Sequence, residues 1–346
     1  MWEINRIIGS GHYALSMARK SRAMRKMQAA HADLFFTADV DDANSSKLYV
    51  NVPKELSKVN RRLYECGRMY GIQGITYVFR GTPGTELHNA VATLEVTART
   101  AGNTWVVQNA FVKGKALWDE MQRLVLADNP SIKGTWHDYK IQLSTSMTGG
   151  RTLNAKDGSG VDYLPGEWDL STYVMPQHEV NPATGEPLPA EEFTAVLIGD
   201  DDPDQKSLVK AYALSRATVQ EDDPFVPAGM SGSFFNLLTD SGSQEPELAD
   251  VIELENDFPP YDRAEYPGAD INAASPVTVS YGAISTAEVD GRLPGFIAPC
   301  GLIELEIKGY DVEGNVISNG GIPPIDVIVH VAPGMYKGVA AIPMGQ

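Results

Sequence analysis

The chain is 346 residues long, which is enough for one large domain or two ordinary ones. Hydrophobic residues make up 43% of it, a normal fraction for a globular core, so the composition excludes a globally disordered protein. The formal net charge of −17 is unevenly distributed: residues 1–31 hold six basic side chains against the single acid Glu3, and residues 32–346 hold the remaining 22 basic and 44 acidic ones. A net charge of +5 therefore precedes one of −22, which indicates that the two parts have different partners.

Residues 1–31, called the basic arm below, concentrate their charge in one stretch. Five of the six basic side chains fall within Ala18–Met27: Arg19, Lys20, Arg22, Arg25 and Lys26. No Gly or Pro interrupts this stretch, and we expect an amphipathic helix over Tyr13–Ala30 with a weak apolar face that contains Met. Such a segment is an electrostatic footprint for polyphosphate or for an anionic membrane surface, and the alternative is a solvated helical tail without a partner.

The sequence predicts neither a membrane span nor a secretory signal. No window approaches 18 apolar residues. At the N-terminus a short apolar patch precedes the basic run, whereas a secretory signal has the opposite order.

The first element predicted after the arm is a short helix over Lys54–Gly67. The spacing of its apolar residues places Leu56, Val59 and Leu63 on the inward side. We expect a basic outer edge made of Lys58, Arg61, Arg62 and Arg68.

Two strands and a long helix follow. Met69–Arg80 and Ala90–Thr100 alternate with period two and are rich in β-branched and aromatic residues, which is typical of strands. Between Asn103 and Ala127 the large apolar residues recur at intervals of three and four, which predicts the longest helix of the chain. Asn129-Pro130 should end it.

The middle of the chain alternates between short predicted elements and long loops. Strands are predicted over Tyr139–Met147 and Phe193–Ile198, and Leu208–Val219 could be a helix or a strand. Residues 149–192 are rich in Gly, Pro, Asp and Asn, and residues 220–275 hold acidic clusters and many prolines. Both stretches are interpreted as long insertions at the surface.

The closing third carries the strongest β pattern, over Pro276–Ile284, Gly295–Gly309 and Ile325–Ala332. Roughly eight strands result, without the strand–helix alternation that builds a parallel sheet. We therefore predict an all-β protein, an antiparallel eight-stranded jelly-roll sandwich with long loop insertions and one long helix after the second strand. Residues 1–46 are assigned to the basic arm and a connecting turn, and residues 47–346 to the jelly-roll domain.

Enzymatic signatures are mostly absent. The sequence holds no phosphate loop of the GxxxxGK type and no HExxH or HxE…CxxC zinc pattern. We therefore expect a protein that is not an enzyme and that has no catalytic residue, cofactor or metal.

Two smaller groups of residues have the chemistry of a possible binding or redox site. Asp200, Asp202 and Asp204 alternate as ligands of a hard cation would, but the loop lacks the Gly and Glu of an EF-hand, so an acidic surface turn is favoured. Cys66 and Cys300 match no metal or redox spacing, so we expect two buried thiols rather than a disulfide.

The aromatic residues admit two interpretations. They could form a platform on which nucleic-acid bases stack, which requires aromatics interleaved with Lys and Arg. Core packing is favoured, because the Trp positions follow helical spacing or lie beside acids. The residues concerned are Trp105, Trp118, Trp136 and Trp168 with Tyr139 and Tyr163.

Several segments together resemble a known protein family. They are Leu56-Ser-Lys-Val-Asn-Arg-Arg-Leu-Tyr64 with Gly67-Arg-Met-Tyr70, Asn103-Thr-Trp105 before Ala116-Leu-Trp118, Trp136-His-Asp138, Gly166-Glu-Trp-Asp169, Asp257 to Pro260 with Tyr266-Pro-Gly268, Gly295-Phe to Pro299-Cys-Gly-Leu302, and Gly334-Met-Tyr-Lys-Gly-Val339. In this order they are similar to the capsid proteins of small circular Rep-encoding single-stranded DNA viruses. The resemblance runs from about residue 54 to the C-terminus, and none of its motifs is catalytic.

The resemblance implies a jelly-roll protein of the virion that self-assembles into an icosahedral shell and encloses single-stranded DNA through a basic N-terminal arm. Relatives often carry a longer and denser Arg-rich arm, whereas the arm here mixes its six basic residues with Met and Ala. The partner of the arm is therefore either DNA or a lipid surface.

The combined hypothesis is a capsid subunit whose partners are other copies of itself and single-stranded DNA bound without sequence preference. The expected DNA contacts are Arg19, Lys20, Arg22, Arg25 and Lys26, with Arg61, Arg62 and Arg68 as additions. Two alternatives stay open: a module that lies on anionic lipid through its N-terminal helix, and a β-sandwich hydrolase or carbohydrate-binding domain.

Overall fold

The computed structural model describes residues 28–40, 46–79, 91–134, 138–164, 166–175, 190–215, 276–285, 290–317 and 321–345, together with residues 185 and 288. Within them the chain is mainly β, with thirteen strands and three α-helices. In chain order the strands are β1 (Asp33–Ala38), β2 (Lys47–Asn51), β3 (Arg68–Phe79), β4 (Thr93–Thr100), β5 (Thr172–Met175), β6 (Glu191–Val196), β7 (Gln205–Ser207), β8 (Val277–Ser285), β9 (Asp290–Pro299), β10 (Leu302–Tyr310), β11 (Ile325–Val331), β12 (Pro333–Tyr336) and β13 (Ala341–Pro343). The helices are α1 (Val52–Asn60), α2 (Trp105–Asp128) and α3 (Leu208–Ser215), with short 3-10 helices at Pro130–Gly134 and Gly149–Arg151. The prediction of a mainly β, antiparallel protein with one long helix is confirmed.

The first sheet is built around β3. β11 lies between β1 and β3, and β13 extends the same edge of β3 by pairing with residues 68–70. β9 pairs along the opposite edge of β3, from Met69 opposite Pro299 to Val78 opposite Asp290. All these pairs are antiparallel, and the sheet therefore runs in the order β1-β11-β3-β9.

The second sheet runs in the order β2-β10-β4-β8, and its pairs are also antiparallel. Its side chains and those of the first sheet share one hydrophobic cluster, called the sandwich core below, with members such as Leu34, Ile72, Ile307 and Val329. The strand β11 shows why these residues form strands. Every second side chain in it is buried, as the period of two requires for a strand with one face on a core.

The described part of the chain between β4 and β8, called the insertion below, packs against residues of β2, β3 and the hairpin of β9 and β10. It contains α2, α3 and a third sheet in which β6 pairs antiparallel with β5 and parallel with β7. Its buried side chains form a second cluster, the insertion core, which includes Phe111, Trp118, Tyr139, Tyr173 and Phe193. The sandwich contributes four residues to this core: Tyr49 in β2, Met69 near the start of β3, Cys300 in the turn after β9, and Leu302 at the start of β10.

The helix α2 has a defined start and a tight contact with α3. The side chain of Thr104 caps it by accepting a hydrogen bond from the backbone N–H of Val107 at 3.3 Å. At Gly114 a Cβ atom would lie 2.6 Å from Cδ2 of Leu208, so the absence of a side chain lets α3 approach α2 closely.

Two strands precede those that the sequence predicted. β1 lies inside the range 1–46 assigned to the arm and turn, and it pairs with β11 along its whole length. β2 follows directly after that range. The long helix consequently comes after the fourth strand, so the predicted position after the second strand was wrong. Both strands have only five or six residues, too few for an alternating pattern to stand out.

The segment Gly295–Gly309, predicted as one strand, is a hairpin of β9 and β10. The chain turns at Cys300 and Gly301, which have φ angles of 55° and 66°. Gly301 is a residue that favours this region and was a turn signal that the prediction of one strand overlooked, whereas Cys300 is not such a residue.

The strand predicted over Tyr139–Met147 was wrong in extent. Gln142 alone forms a bridge, parallel to Val196, so this stretch contacts the third sheet without becoming a named strand. The described part of Leu208–Val219 is helical. The predicted excursion over 220–275 lies outside the described residues.

Candidate nucleic-acid interface

The arm residues that were predicted to contact DNA lie outside the part of the chain that the structure describes. These residues are Arg19, Lys20, Arg22, Arg25 and Lys26. Of the predicted set, Arg61, Arg62 and Arg68 can be placed.

Arg61 and Arg62 lie together at the C-terminal end of α1. Arg61 is the C-cap residue, in the left-handed region with a φ of 51°, and its side chain is exposed. Arg62 is also exposed, and its Nη1 donates a hydrogen bond to the backbone oxygen of Ala29 at 3.0 Å. This contact holds the end of α1 next to the residue where the basic arm meets the sandwich.

Arg68 lies apart from these two, in β3. Its Nε donates to Oε2 of Glu65 at 2.8 Å, and its guanidinium carbon lies 3.7 Å from the ring centroid of Tyr336. Arg61 and Arg68 also line different cavities. The three predicted residues therefore do not form one surface, and Arg68 is engaged in an ion pair and a cation–π contact.

The helix α1 presents one polar face. It begins where the side chain of Asn51 accepts a hydrogen bond from the backbone N–H of Lys54 at 3.1 Å. Lys54, Ser57, Lys58 and Arg61 follow at intervals of three, four and seven residues, so they lie on the same side of the helix. Sequence analysis missed this grouping, although the spacing alone indicates it.

This face lines a cavity of about 630 Å³, called the α1 cavity below. The other wall comes from the insertion between β4 and β8. Asp138, Lys140 and residues 166–172 line it. The cavity therefore lies between a helix of the sandwich and the segment that precedes β5.

Two predictions about α1 were wrong. Lys58, expected on the exposed outer edge, is buried, because its Nζ lies 2.8 Å from the buried carboxylate of Glu55 and 3.1 Å from Oδ1 of Asn154. Leu63, expected inward, follows the end of the helix and is 47% exposed at the cavity. A helix spanning Lys54–Gly67 would have buried it, but the chain leaves the helical conformation at Arg61.

The cations on this face differ in what surrounds them. Lys58 is neutralised by Glu55. For Lys54 and Arg61, the described part of the chain offers no side-chain hydrogen bond and no carboxylate within 4.0 Å. Two positive charges thus face the cavity without an anionic partner among the described residues.

Burial lowers the pKa of Lys54. Desolvation lowers the pKa of its ammonium group, the nearby charge of Lys58 acts in the same direction, and Glu55 opposes both. An anion bound in the cavity would favour the charged form of Lys54.

An aromatic ring completes the wall opposite α1. Trp168 is partly exposed and lines the cavity, and Nζ of Lys140 lies 5.1 Å from its ring centroid. The interpretation of the aromatics as core residues is confirmed for Trp118 and Tyr139, which are buried in the insertion core. For Trp168 the stacking interpretation, which the sequence disfavoured, fits its position in the cavity better.

Carboxylates lie near the same wall. Asp138 accepts a hydrogen bond from the backbone N–H of Cys66 at 2.7 Å, and burial raises the pKa of its carboxyl group. Glu167 and Asp169 are exposed at the margin of the cavity. The cavity is consequently cationic along α1, aromatic at Trp168 and acidic at part of its rim.

The structure also describes the acidic loop and the two cysteines. Of the three alternating acids, Asp200 lies 3.8 Å from Nζ of Lys210, which its neighbour Asp201 approaches to 3.6 Å, and the backbone groups of Asp202 and Asp204 bond to Gln205 and Thr194. No cluster of His, Cys, Asp or Glu within the described ranges has the arrangement of a metal site. Cys66 and Cys300 are both buried and free, as expected.

Comparison of the chain with known protein families, with curated proteins and with solved structures found no match. Among the residues that the structure describes, no helix has both the length and the hydrophobicity needed to cross a membrane.

Proposed function

We propose that this chain is a capsid subunit that self-assembles into an icosahedral shell and packages single-stranded DNA, with its two main sheets forming a jelly roll. The observation that carries the proposal is the pairing order of eight strands. The division of charge between the basic arm and the rest of the chain adds to it.

The eight strands pair as one long antiparallel ribbon folded back on itself. The first pairs with the last, the second with the second last, and so on inward: β1 with β11, β2 with β10, β3 with β9 and β4 with β8. These four pairs are distributed alternately, two in each sheet. This order supports the proposal, because two Greek keys in a jelly roll would pair in the same way, and viral capsid and lectin domains use that architecture.

The position of the insertion suits a shell subunit. It joins β4 to β8, the two innermost strands of the ribbon, so it can be long without disturbing the pairing of the others. Large insertions that leave a framework intact are where contacts with other molecules are usually found.

Exposed apolar side chains on the framework strands support contact with further copies of the chain. Phe35 on β1, Tyr281 on β8, Ile297 on β9 and Ile342 on β13 are each between 46% and 55% exposed. Apolar and aromatic residues at a protein surface favour burial in subunit interfaces.

The charge division supports packaging of a polyanion. The basic arm has a net charge of +5 and the remaining chain −22. One such arm binds phosphates weakly, but many copies brought together by a shell act jointly through their effective concentration. The acidic remainder keeps assembled particles apart in solution.

Negative-stain electron microscopy of the purified chain after size exclusion tests the proposal, with the ratio of absorbance at 260 and 280 nm measured across the peak. We expect uniform closed particles with an elevated ratio. A variant that lacks residues 1–31 should still form particles but with a ratio near that of protein alone. A chain that remains monomeric at high concentration contradicts the proposal.

A further inference from the structure

The α1 cavity brings cationic side chains and an aromatic ring together around one space. Lys54 and Arg61 line it, neither with a carboxylate of the described residues within 4.0 Å, and the ring of Trp168 lines it as well. A ligand that satisfies both walls must carry an anionic group and a flat aromatic group.

We propose that the α1 cavity binds one nucleotide unit of a single strand, with the phosphate at Lys54 and Arg61 and the base against Trp168. The inference rests on the proposed function, because the packaged strand is the source of that nucleotide. It adds a defined site among the described residues to the electrostatic binding expected of the arm.

The size of the site fits such a ligand. A volume of about 630 Å³ lies within the range of roughly 300–1,000 Å³ that is usual for small-molecule sites. Lys54 and Arg61 are seven residues apart, which corresponds to about 10 Å along a helix. The two cations can therefore contact one phosphate from two sides or two successive phosphates of a strand.

The cations favour a phosphate over other ligands. Lys58 already has Glu55 as its counterion, so the charge that α1 offers to a ligand comes from Lys54 and Arg61. The guanidinium of Arg61 can bind two phosphate oxygens at once, whereas the ammonium of Lys54 acts as a point charge.

The opposite wall favours a base over a plain anion. Base stacking on an aromatic side chain needs no particular sequence, which suits packaging of a whole genome. Glu167 and Asp169 at the rim repel free inorganic anions but can accept hydrogen bonds from the amino groups of a base. A concave site of this kind also does not match a flat lipid surface.

Photochemical crosslinking of the full-length chain tests the site directly. A hexamer of 5-iododeoxyuridine is bound and irradiated, and the crosslinked peptides are identified by mass spectrometry. We expect a crosslink to the peptide that contains Trp168, separable from any crosslink to residues 1–31. Crosslinks confined to the arm overturn the inference.

Affinity measurements supply the magnitudes. By fluorescence anisotropy with labelled hexathymidylate, Trp168→Leu should weaken binding about 10-fold, since stacking is worth that order per base. Trp168→Phe should retain most of the affinity because it keeps a ring. Arg61→Gln should weaken binding and reduce the salt dependence by about one phosphate contact.

Arg123→Gln is the matched control. It removes the same charge from the exposed surface of α2, one residue beyond Gln122, which lines the cavity. We expect its affinity to stay within about twofold of the unmodified chain, as a general electrostatic change at that site should be small. Equal losses for Arg123→Gln and Arg61→Gln contradict a specific site.

Further measurements distinguish a free nucleotide from a strand as the ligand, and they test this inference separately from the proposed function. Saturable binding of thymidine 5′-monophosphate shows that a free nucleotide suffices, whereas binding of the hexamer alone assigns the site to a strand; both support the inference. Electron microscopy of the same sample reports on assembly. Particles without a crosslink at Trp168 overturn only the inference, and a crosslink at Trp168 without particles overturns only the shell.

Discussion

The sandwich core and the insertion core hold their buried polar groups in different ways. Next to the sandwich core, buried carboxylates are matched with cations: Glu55 with Lys58 at 2.8 Å, and Glu304 with Arg99 at 3.1 Å. Both carboxylates are almost completely shielded from solvent. Ion pairs of this kind fix the positions of helix α1 and strand β10.

In and around the insertion core, the buried polar groups include hydroxyl groups and the ammonium groups of Lys113 and Lys140. The hydroxyl groups of Tyr139 and Tyr173 lie 2.6 Å apart, and the latter donates to the backbone oxygen of Gly114 at 2.7 Å. Lys113 is buried, and its Nζ donates to Oγ of Ser215 at 3.2 Å. The sandwich thus depends on charge pairs and the insertion on hydrogen bonds to hydroxyl groups, so removal of a polar group should have different consequences in the two regions.

The largest effect is expected for Glu55→Gln. Its carboxylate binds Lys58 and also accepts a hydrogen bond from the backbone N–H of Ala155 at 2.8 Å, which joins α1 to the insertion. The amide can still accept from Ala155, but it leaves the buried ammonium of Lys58 without its counterion. We expect the free energy of unfolding to fall by about 3–5 kcal/mol, measured by urea denaturation.

The double variant Glu55→Gln, Lys58→Met is the control. It removes both charges and keeps an acceptor for Ala155, so most of the lost stability should return. If the double variant is as unstable as the single one, the ion pair is not the cause of the loss.

A smaller effect, of opposite sign, is expected for Lys113→Met in the insertion. Desolvation lowers the pKa of Lys113 to about 8 in the folded protein, from 10.5 as its ordinary value. Below pH 8 the group is charged in both states, and folding includes the full cost of burying the charge. The variant should therefore be more stable at pH 7, on the order of 2 kcal/mol.

The pH dependence gives a second test of Lys113. Between pH 8 and 10.5 the unfolded chain binds more protons than the folded one, so the unfolding free energy of the unmodified protein rises with pH. The advantage of Lys113→Met should shrink across this range in thermal melts. Lys115→Met, on the same helix but partly exposed and paired with Asp119, should show no such trend.

The same two regions differ in how far the sequence predicted them. β3, β4, β8 and β11 are each seven or more residues long, and the sequence located all four. The turn at Cys300 and Gly301 was overlooked because a single Gly lies within a long run of strand-forming residues, and the left-handed conformation of Cys300 is not one that its residue type favours. In the insertion, residues 139–147 have the composition of a strand but pair with the third sheet at Gln142 alone.

Only the α1 side of the candidate site could be predicted from the sequence. The basic character of α1 is visible in the sequence, and the spacing of Lys54, Lys58 and Arg61 places them on one face. Trp168 and Lys140 come from distant parts of the chain, and only the packing of the insertion brings them opposite α1. Whether a cation is available to a ligand also depends on its neighbours, as the pairing of Lys58 with Glu55 illustrates.

The smallest expected effects come from removing the hydroxyl group of Tyr139 or of Tyr173. The difference between the two losses of unfolding free energy distinguishes their roles. Because the hydroxyl group of Tyr173 donates to Gly114, the hydroxyl group of Tyr139 must be the donor in the bond between them. Burial raises the pKa of both, so each keeps its proton at neutral pH. Tyr173→Phe leaves the buried hydroxyl group of Tyr139 without this acceptor, and should cost about 1–2 kcal/mol. Tyr139→Phe leaves the bond to Gly114 intact.

Tyr139→Phe should accordingly cost less, about 0.5–1 kcal/mol, and urea denaturation of the two variants measures the difference. Tyr281→Phe, at an exposed position on β8, is the control for removal of a hydroxyl group and should be near neutral. Equal losses for the two buried tyrosines would mean that each hydroxyl group contributes independently. A larger loss for Tyr173→Phe indicates a directed chain of hydrogen bonds from Tyr139 to the backbone of α2, in which stability depends on the middle member.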